Sequence, residues 1–190
     1  LVAIAQRSMK RLLAYSTIAH AGYIMVGLAA VSTRAGSGDS SLGISALLFY
    51  LRGYAAMNPA VFSAVIALSN RINSDAISDF AGMARRAPYL SAVLAFGIVS
   101  LTGIPPTVGF IAKVYVFGAA VDAGLEWLVI IGVLNSVIAA YYYLRVIKLM
   151  YLSEPPSTDS IESGIPLRLA MLVTSAGVLL FGLYPTGLLN

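Results

Sequence analysis

Ser100-Leu-Thr-Gly-Ile-Pro-Pro-Thr-Val-Gly-Phe-Ile-Ala-Lys113 interrupts an apolar run that extends from Pro88 to Val121. As one straight helix, residues 88–121 would reach about 51 Å, against a hydrocarbon core of about 30 Å. Pro105 and Pro106 remove two backbone donors and cannot continue a helix interior. Gly103 and Gly109 loosen the backbone on either side of them. The stretch therefore predicts two half-helices, 88–103 and 107–121, with a break near 104–106. Lys113 follows the break and lies about 13 Å along the helix from Asp122, which places an ammonium near mid-membrane. A broken helix with a lysine at that depth is an arrangement used to carry or sense ions.

The rest of the chain puts this break in a membrane. Of 190 residues, 59% are hydrophobic and 11% charged, where a soluble domain carries roughly 25% charged residues. The class read from this is all-α: a polytopic transmembrane helix bundle of about five spans, one of them discontinuous. The spans are 12–33, 42–69, 88–121, 127–149 and 166–185, in a single transmembrane domain over 1–190. The sequence has no cysteine, which excludes disulfides, thiolate zinc sites, iron–sulfur ligation and cysteine nucleophiles in this chain. His20 is the single histidine and cannot build a metal site alone. The chain opens Leu-Val-Ala-Ile-Ala, with neither Met nor a basic leader, so earlier helices are expected ahead of it.

A net charge of +4 would suggest nucleic acid in a soluble protein. Here the basic residues flank apolar spans, so no nucleic-acid partner is expected. Arg7, Lys10, Arg11, Arg71, Arg85, Arg86, Arg145, Lys148 and Arg168 fall in loops on one side, and only Arg34 on the other. By the positive-inside rule, loops 1–11, 70–87 and 145–168 are cytoplasmic.

Lys113 has two readings. Its stem could snorkel to the interface, although nine residues from the helix end is a long reach. Alternatively, it is a buried group whose protonation responds to nearby charge. No span contains an acidic residue, so any partner carboxylate must come from elsewhere. Lys10, with Arg11, is either a cytoplasmic anchor or the start of a helix whose ammonium reaches a water-filled half-channel. His20, three turns deeper, is either a packing residue or a proton relay. Ser16, Thr17, His20 and Tyr23 form a polar stripe that should face protein, with Gly27 at the same spacing. Arg52 is a poor proton carrier; it pairs with an acid elsewhere or snorkels. Asn58-Pro59 predicts a kink and freed carbonyls. Tyr141-Tyr142-Tyr143, with Arg145 and Lys148, reads as an interfacial belt. No nucleophile–base set, phosphate loop or dinucleotide fingerprint occurs.

Gln6-Arg-Ser-Met-Lys10-Arg-Leu-Leu-Ala-Tyr-Ser-Thr-Ile-Ala-His20-Ala-Gly-Tyr resembles a hallmark of the antiporter-like, proton-pumping subunits of respiratory complex I, the NADH-quinone oxidoreductase. Ser100 to Lys113, continued by Val-Tyr-Val-Phe, resembles a second hallmark, the discontinuous helix late in that fold; Tyr54 to Ala60 resembles a third, weaker one. The match covers nearly the whole chain. Some branches carry a glutamate where Lys113 stands, and others a histidine-and-lysine motif in the helix matched by 43–69; this sequence has neither. The resemblance implies most of the second of two inverted repeats plus a terminal helix. It implies that Lys113 faces the outer half-channel, that Lys10 belongs to a hydrophilic axis and that His20 lies beside it. Arg52 and Pro59 depart from the family pattern. The family's essential glutamate and its partner lysine belong to the other repeat.

The resemblance also implies a multi-pass subunit of the bacterial inner membrane that passes protons while quinone is reduced elsewhere. Its expected partners are other membrane-arm subunits, including neighbouring antiporter-like ones, with lipid and protons. No cofactor is expected in this chain; NADH, FMN, iron–sulfur clusters and quinone are expected in partner subunits. A subunit of an Mrp-like cation/proton antiporter and a structural scaffold are the rival readings.

Overall fold

Ser8 starts the first long helix: its backbone is extended and its hydroxyl accepts the Arg11 amide, satisfying one of the orphan donors of the first turn. The computed structural model describes residues 2–35, 41–157, 159–161 and 164–184. Along it run α1 (Met9–Arg34), α2 (Ser41–Ile72), the single turn α3 (Met83–Arg86), α4 (Pro88–Thr102), α5 (Val108–Asp122), α6 (Glu126–Leu152) and α7 (Ile165–Leu183). Short 3-10 turns lie at Val2–Ala5 and Ile77–Phe80. Among the described residues there is no β-strand.

Helices α1, α2 and α6 are long and apolar enough to cross a membrane. They overrun 12–33, 42–69 and 127–149 by up to three residues at an end, because hydropathy marks the apolar stretch while the hydrogen-bonded helix continues into the polar interface. Helices α4 and α5 have 15 residues each, about 22 Å, so neither spans the hydrocarbon alone. Helix α7 ends at Leu183; the expected end of that span, at 185, lies outside the described residues.

The break occupies 103–107, slightly wider than 104–106. Gly103 takes φ 85° and donates its amide to the Val99 and Ser100 carbonyls, and the Ile104 amide also returns to Val99, which closes α4. The Pro105–Pro106 peptide is cis. Helix α5 restarts after extended Thr107, whose hydroxyl donates to the Ile104 carbonyl at 2.7 Å. At Pro59, by contrast, α2 remains one element. Ser63 donates to the carbonyls of Pro59 and Ala60, and Met57, Ala60 and Val61 are fully buried around the proline.

Helix α2 is the hub, packing against α1, α4, α5 and α7 through Phe49, Tyr50, Met57, Val65 and Leu68. At one end of the bundle, the amides of Met9, Ile77 and Gly82 donate to the carbonyls of Asp75, Arg7 and Leu149, and that of Ile161 to Arg86. Arg34 and Asp122 pair at 2.8 Å at the other. The loops rich in Lys and Arg therefore gather at one end and Arg34 lies at the opposite one, as the alternation of spans requires.

The tyrosine run departs from the expected belt. Only Tyr141 is exposed, at 61%; Tyr142 and Tyr143 are 4% and 0% exposed. Successive residues of a helix point about 100° apart, so three in a row cannot all face the interface while α6 packs on α1. Thr17 likewise leaves the polar stripe and is exposed, donating to the Leu13 carbonyl at 3.2 Å.

Candidate functional site

The last turn of α4 leaves carbonyls without intrahelical partners, and the negative end of the helix dipole lies there. Lys113, in the second turn of α5, fills that position. Its ammonium donates to the Thr102 carbonyl at 2.6 Å, the Leu101 carbonyl at 3.3 Å and the Ser136 hydroxyl at 2.8 Å. It also lies 5.1 Å from the centre of the Tyr23 ring. The side chain is 6% exposed, so it does not snorkel out of this bundle.

Two glycines make the arrangement possible. A Cβ on Gly103 would stand 3.0 Å from Lys113 Cδ and 3.1 Å from its Nζ. A Cβ on Gly109 would overlap the Ser100 carbonyl oxygen, so the missing side chain lets α5 approach α4 backbone to backbone. The sequence suggests loosened backbone at both glycines. In the fold their use is close approach, with Gly103 also supplying the positive φ.

From Lys113 a buried polar file continues towards the basic end. Asn135 donates to the Tyr23 hydroxyl at 3.3 Å. On α1, His20 follows Tyr23 by one turn; its Nδ1 lies 2.7 Å from the Tyr50 hydroxyl and its ring stacks on Tyr54 with centroids 4.8 Å apart. One turn further, Ser16 hydrogen-bonds the Tyr143 hydroxyl. Ser16, His20, Tyr23 and Gly27 are all buried, which places that stripe against protein.

Lys10 does not join the file directly. Its ammonium pairs with Asp75 at 2.9 Å at the basic end, with side chains 46% and 38% exposed. The Lys10 ammonium, paired with it, holds the Asp75 carboxyl below its ordinary value of 3.8. Arg52 lies on an exposed face of α2. Among the described residues no group of three or more His, Asp or Glu is placed to hold a metal ion.

Sequence reasoning missed Tyr50, Tyr54, Asn135 and Ser136. Asn135-Ser136 is an isolated polar pair in the middle of an apolar span and Tyr50/Tyr54 share an i, i+4 face, so both left a readable signal. The α4 carbonyls left none, since every residue has one.

A family model described as NADH:quinone oxidoreductase/Mrp antiporter, TM, matches residues 1–139. NADH-quinone oxidoreductase subunit N of Dehalococcoides mccartyi is 43% identical over 189 residues, covering 100% of this chain and 38% of the relative. The chain thus spans well under half the length of the curated relatives it matches. Among solved structures, the membrane-bound sulfane sulfur reductase, an archaeal respiratory membrane complex, superposes with a TM-score of 0.88 at 28% identity, over 100% of this chain and 37% of that one. Respiratory complex I from Thermus thermophilus with bound aureothin gives 0.74 at 30% identity, over 99% and 41%.

Proposed function

Because the chain belongs to the NADH:quinone oxidoreductase/Mrp antiporter membrane family, we propose that it forms part of a proton-translocating subunit of a bacterial NADH-quinone oxidoreductase. In this reading it is the later portion of a subunit N. It sits in the inner membrane with the basic end cytoplasmic, and works beside other membrane-arm subunits, including neighbouring antiporter-like ones. It contains no redox active site: NADH, FMN, iron–sulfur clusters and quinone belong to partner subunits, and their turnover drives the proton step here.

The observation that carries the reading is the setting of Lys113. The α4 carbonyls and Ser136 hold the ammonium in a buried position. A serine hydroxyl donates as well as accepts, so Ser136 can also serve the neutral amine, and both protonation states keep a partner. Conformational or charge changes transmitted along the membrane arm shift the proton affinity of this lysine. Protons reach it from the basic side past Lys10 at the mouth and His20 in the file, and leave from Lys113 towards the outside.

The test is the intact reconstituted complex carrying Lys113→Ala, with proton pumping and NADH–quinone electron transfer measured together. Pumping should fall by about tenfold or more, a barrier increase above about 1.4 kcal/mol. Unchanged pumping would make the broken helix a scaffold. Sodium-dependent transport without NADH would favour the antiporter.

A further inference from the structure

A second site lies at the basic end, separate from the setting of Lys113. The residues just before α1, the segment after α2 and the end of α6 enclose a cleft of about 530 Å³. Arg7, Arg145 and Lys148 line it, with Ser78, Ser153 and the apolar Leu149. The cations come from two separate segments. The Arg7 carbonyl is pinned by the Ile77 amide at 2.8 Å, so the backbone that carries it is fixed. Neither ion pair of the described residues uses any of the three. The nearby carboxylates are otherwise placed: Asp79 accepts from Ser74 and Ser78, Asp75 pairs with Lys10, and Glu154 does not line the cleft.

Helix α6, which contributes Arg145 and Lys148 to the cleft, also carries an apolar stripe. Leu134, Val137, Tyr141 and Leu144 are exposed and recur every three or four residues, so they share one face of α6. Arg145 and Lys148 fall on that same face, with Lys148 about 10 Å along the axis from Tyr141. A cationic cleft at the end of an exposed apolar stripe, at the interfacial end of a membrane helix, has the outline of an amphiphile: phosphate at the cations, acyl chain along α6. Guanidinium groups bind phosphate oxygens in pairs, and basic pockets between membrane helices on the cytoplasmic side suit anionic headgroups.

We propose that this cleft binds the phosphodiester of an anionic phospholipid, whose acyl chain lies along the exposed face of α6. The stripe decides between the two sources of phosphate, because free phosphate has no use for it.

The intact complex in detergent is incubated with phosphatidylglycerol bearing a photoreactive acyl chain, irradiated, and its peptides mapped by mass spectrometry. Labelling is expected at Val137, Tyr141 or Leu144. It should be competed by unlabelled phosphatidylglycerol, not by inorganic phosphate or phosphatidylcholine. Arg145→Gln with Lys148→Gln should weaken the competition about 30-fold, about fivefold per cation, with labelling elsewhere in the complex unchanged as the control for folding. Equal labelling by a phosphatidylcholine probe, equal competition in the double variant, or displacement by millimolar inorganic phosphate would each overturn the proposal. Absence of label on α6 would mean that protein covers this face, and would overturn it as well.

Discussion

Lys113 is held inside the bundle by two carbonyls of α4 and a serine of α6, whereas Lys10 reaches a carboxylate at the exposed basic end. The side chain is the same and the counter-charge differs. Carbonyls at a helix terminus carry a fixed partial charge that no proton can remove, so at the break only the lysine changes state. At the basic end the counter-charge is itself an ionisable carboxylate, water screens the pair, and it contributes little to holding the fold. Under the proposed function, the first arrangement suits a lysine that exchanges protons, because its fixed partners keep their charge when it gains or loses one.

The comparison breaks most severely at Gly109. Gly109→Ala puts a methyl into the Ser100 carbonyl, so α5 must move off α4 and take Lys113 with it. The expected outcome is little or no assembled complex on a native gel. Normal assembly would mean that the close approach of the two half-helices is dispensable.

Ser136→Ala sharpens the same comparison more gently. The ammonium keeps its two carbonyls and the Tyr23 ring and loses its one side-chain hydrogen bond. A hydrogen bond inside a membrane protein contributes on the order of 0.6 to 1.7 kcal/mol, so proton pumping by the assembled complex should fall roughly threefold to twentyfold. Pumping equal to the unmodified complex would show that the carbonyls alone position the lysine.

At the other lysine the effect is smallest. Asp75 titrates below its ordinary value of 3.8, first because of the hydrogen bond from Lys10. A carboxyl lowered by folding adds stability above its unfolded value, and that stability is lost as pH falls through the folded one. The thermal midpoint of the Asp75→Asn complex should therefore be slightly below that of the unmodified complex at pH 7, and the difference should close as pH is taken below 3.8. A gap that persists in acid would show that Asp75 acts through packing.

How far the sequence could be read follows from the same contrast. The break was legible because Pro105, Pro106 and Gly103 act on their own backbone, and α4 and α5 end and begin within a residue or two of the expected positions. That Lys113 follows the break was legible from the sequence; that it is buried against α4 is seen in the fold. The fate of the tyrosine run was not: Tyr142 and Tyr143 are buried because of where α1 meets α6, and composition holds no record of which helix is the neighbour. At Pro59 the local rules predict a kink with freed carbonyls, and α2 runs through that position as one helix.

By itself the sequence determined an all-helical membrane chain, the position of its broken helix, the end of the bundle at which its basic loops gather and the place of one lysine just past the break. These follow from hydropathy, proline and charge, which act along the chain. Only the tertiary structure decided what the lysine touches, that His20 meets Tyr50 and Tyr54, and that Lys10 faces Asp75 at the surface. Those contacts join residues far apart in sequence, and their partners, backbone carbonyls above all, exist at every position until packing selects a few.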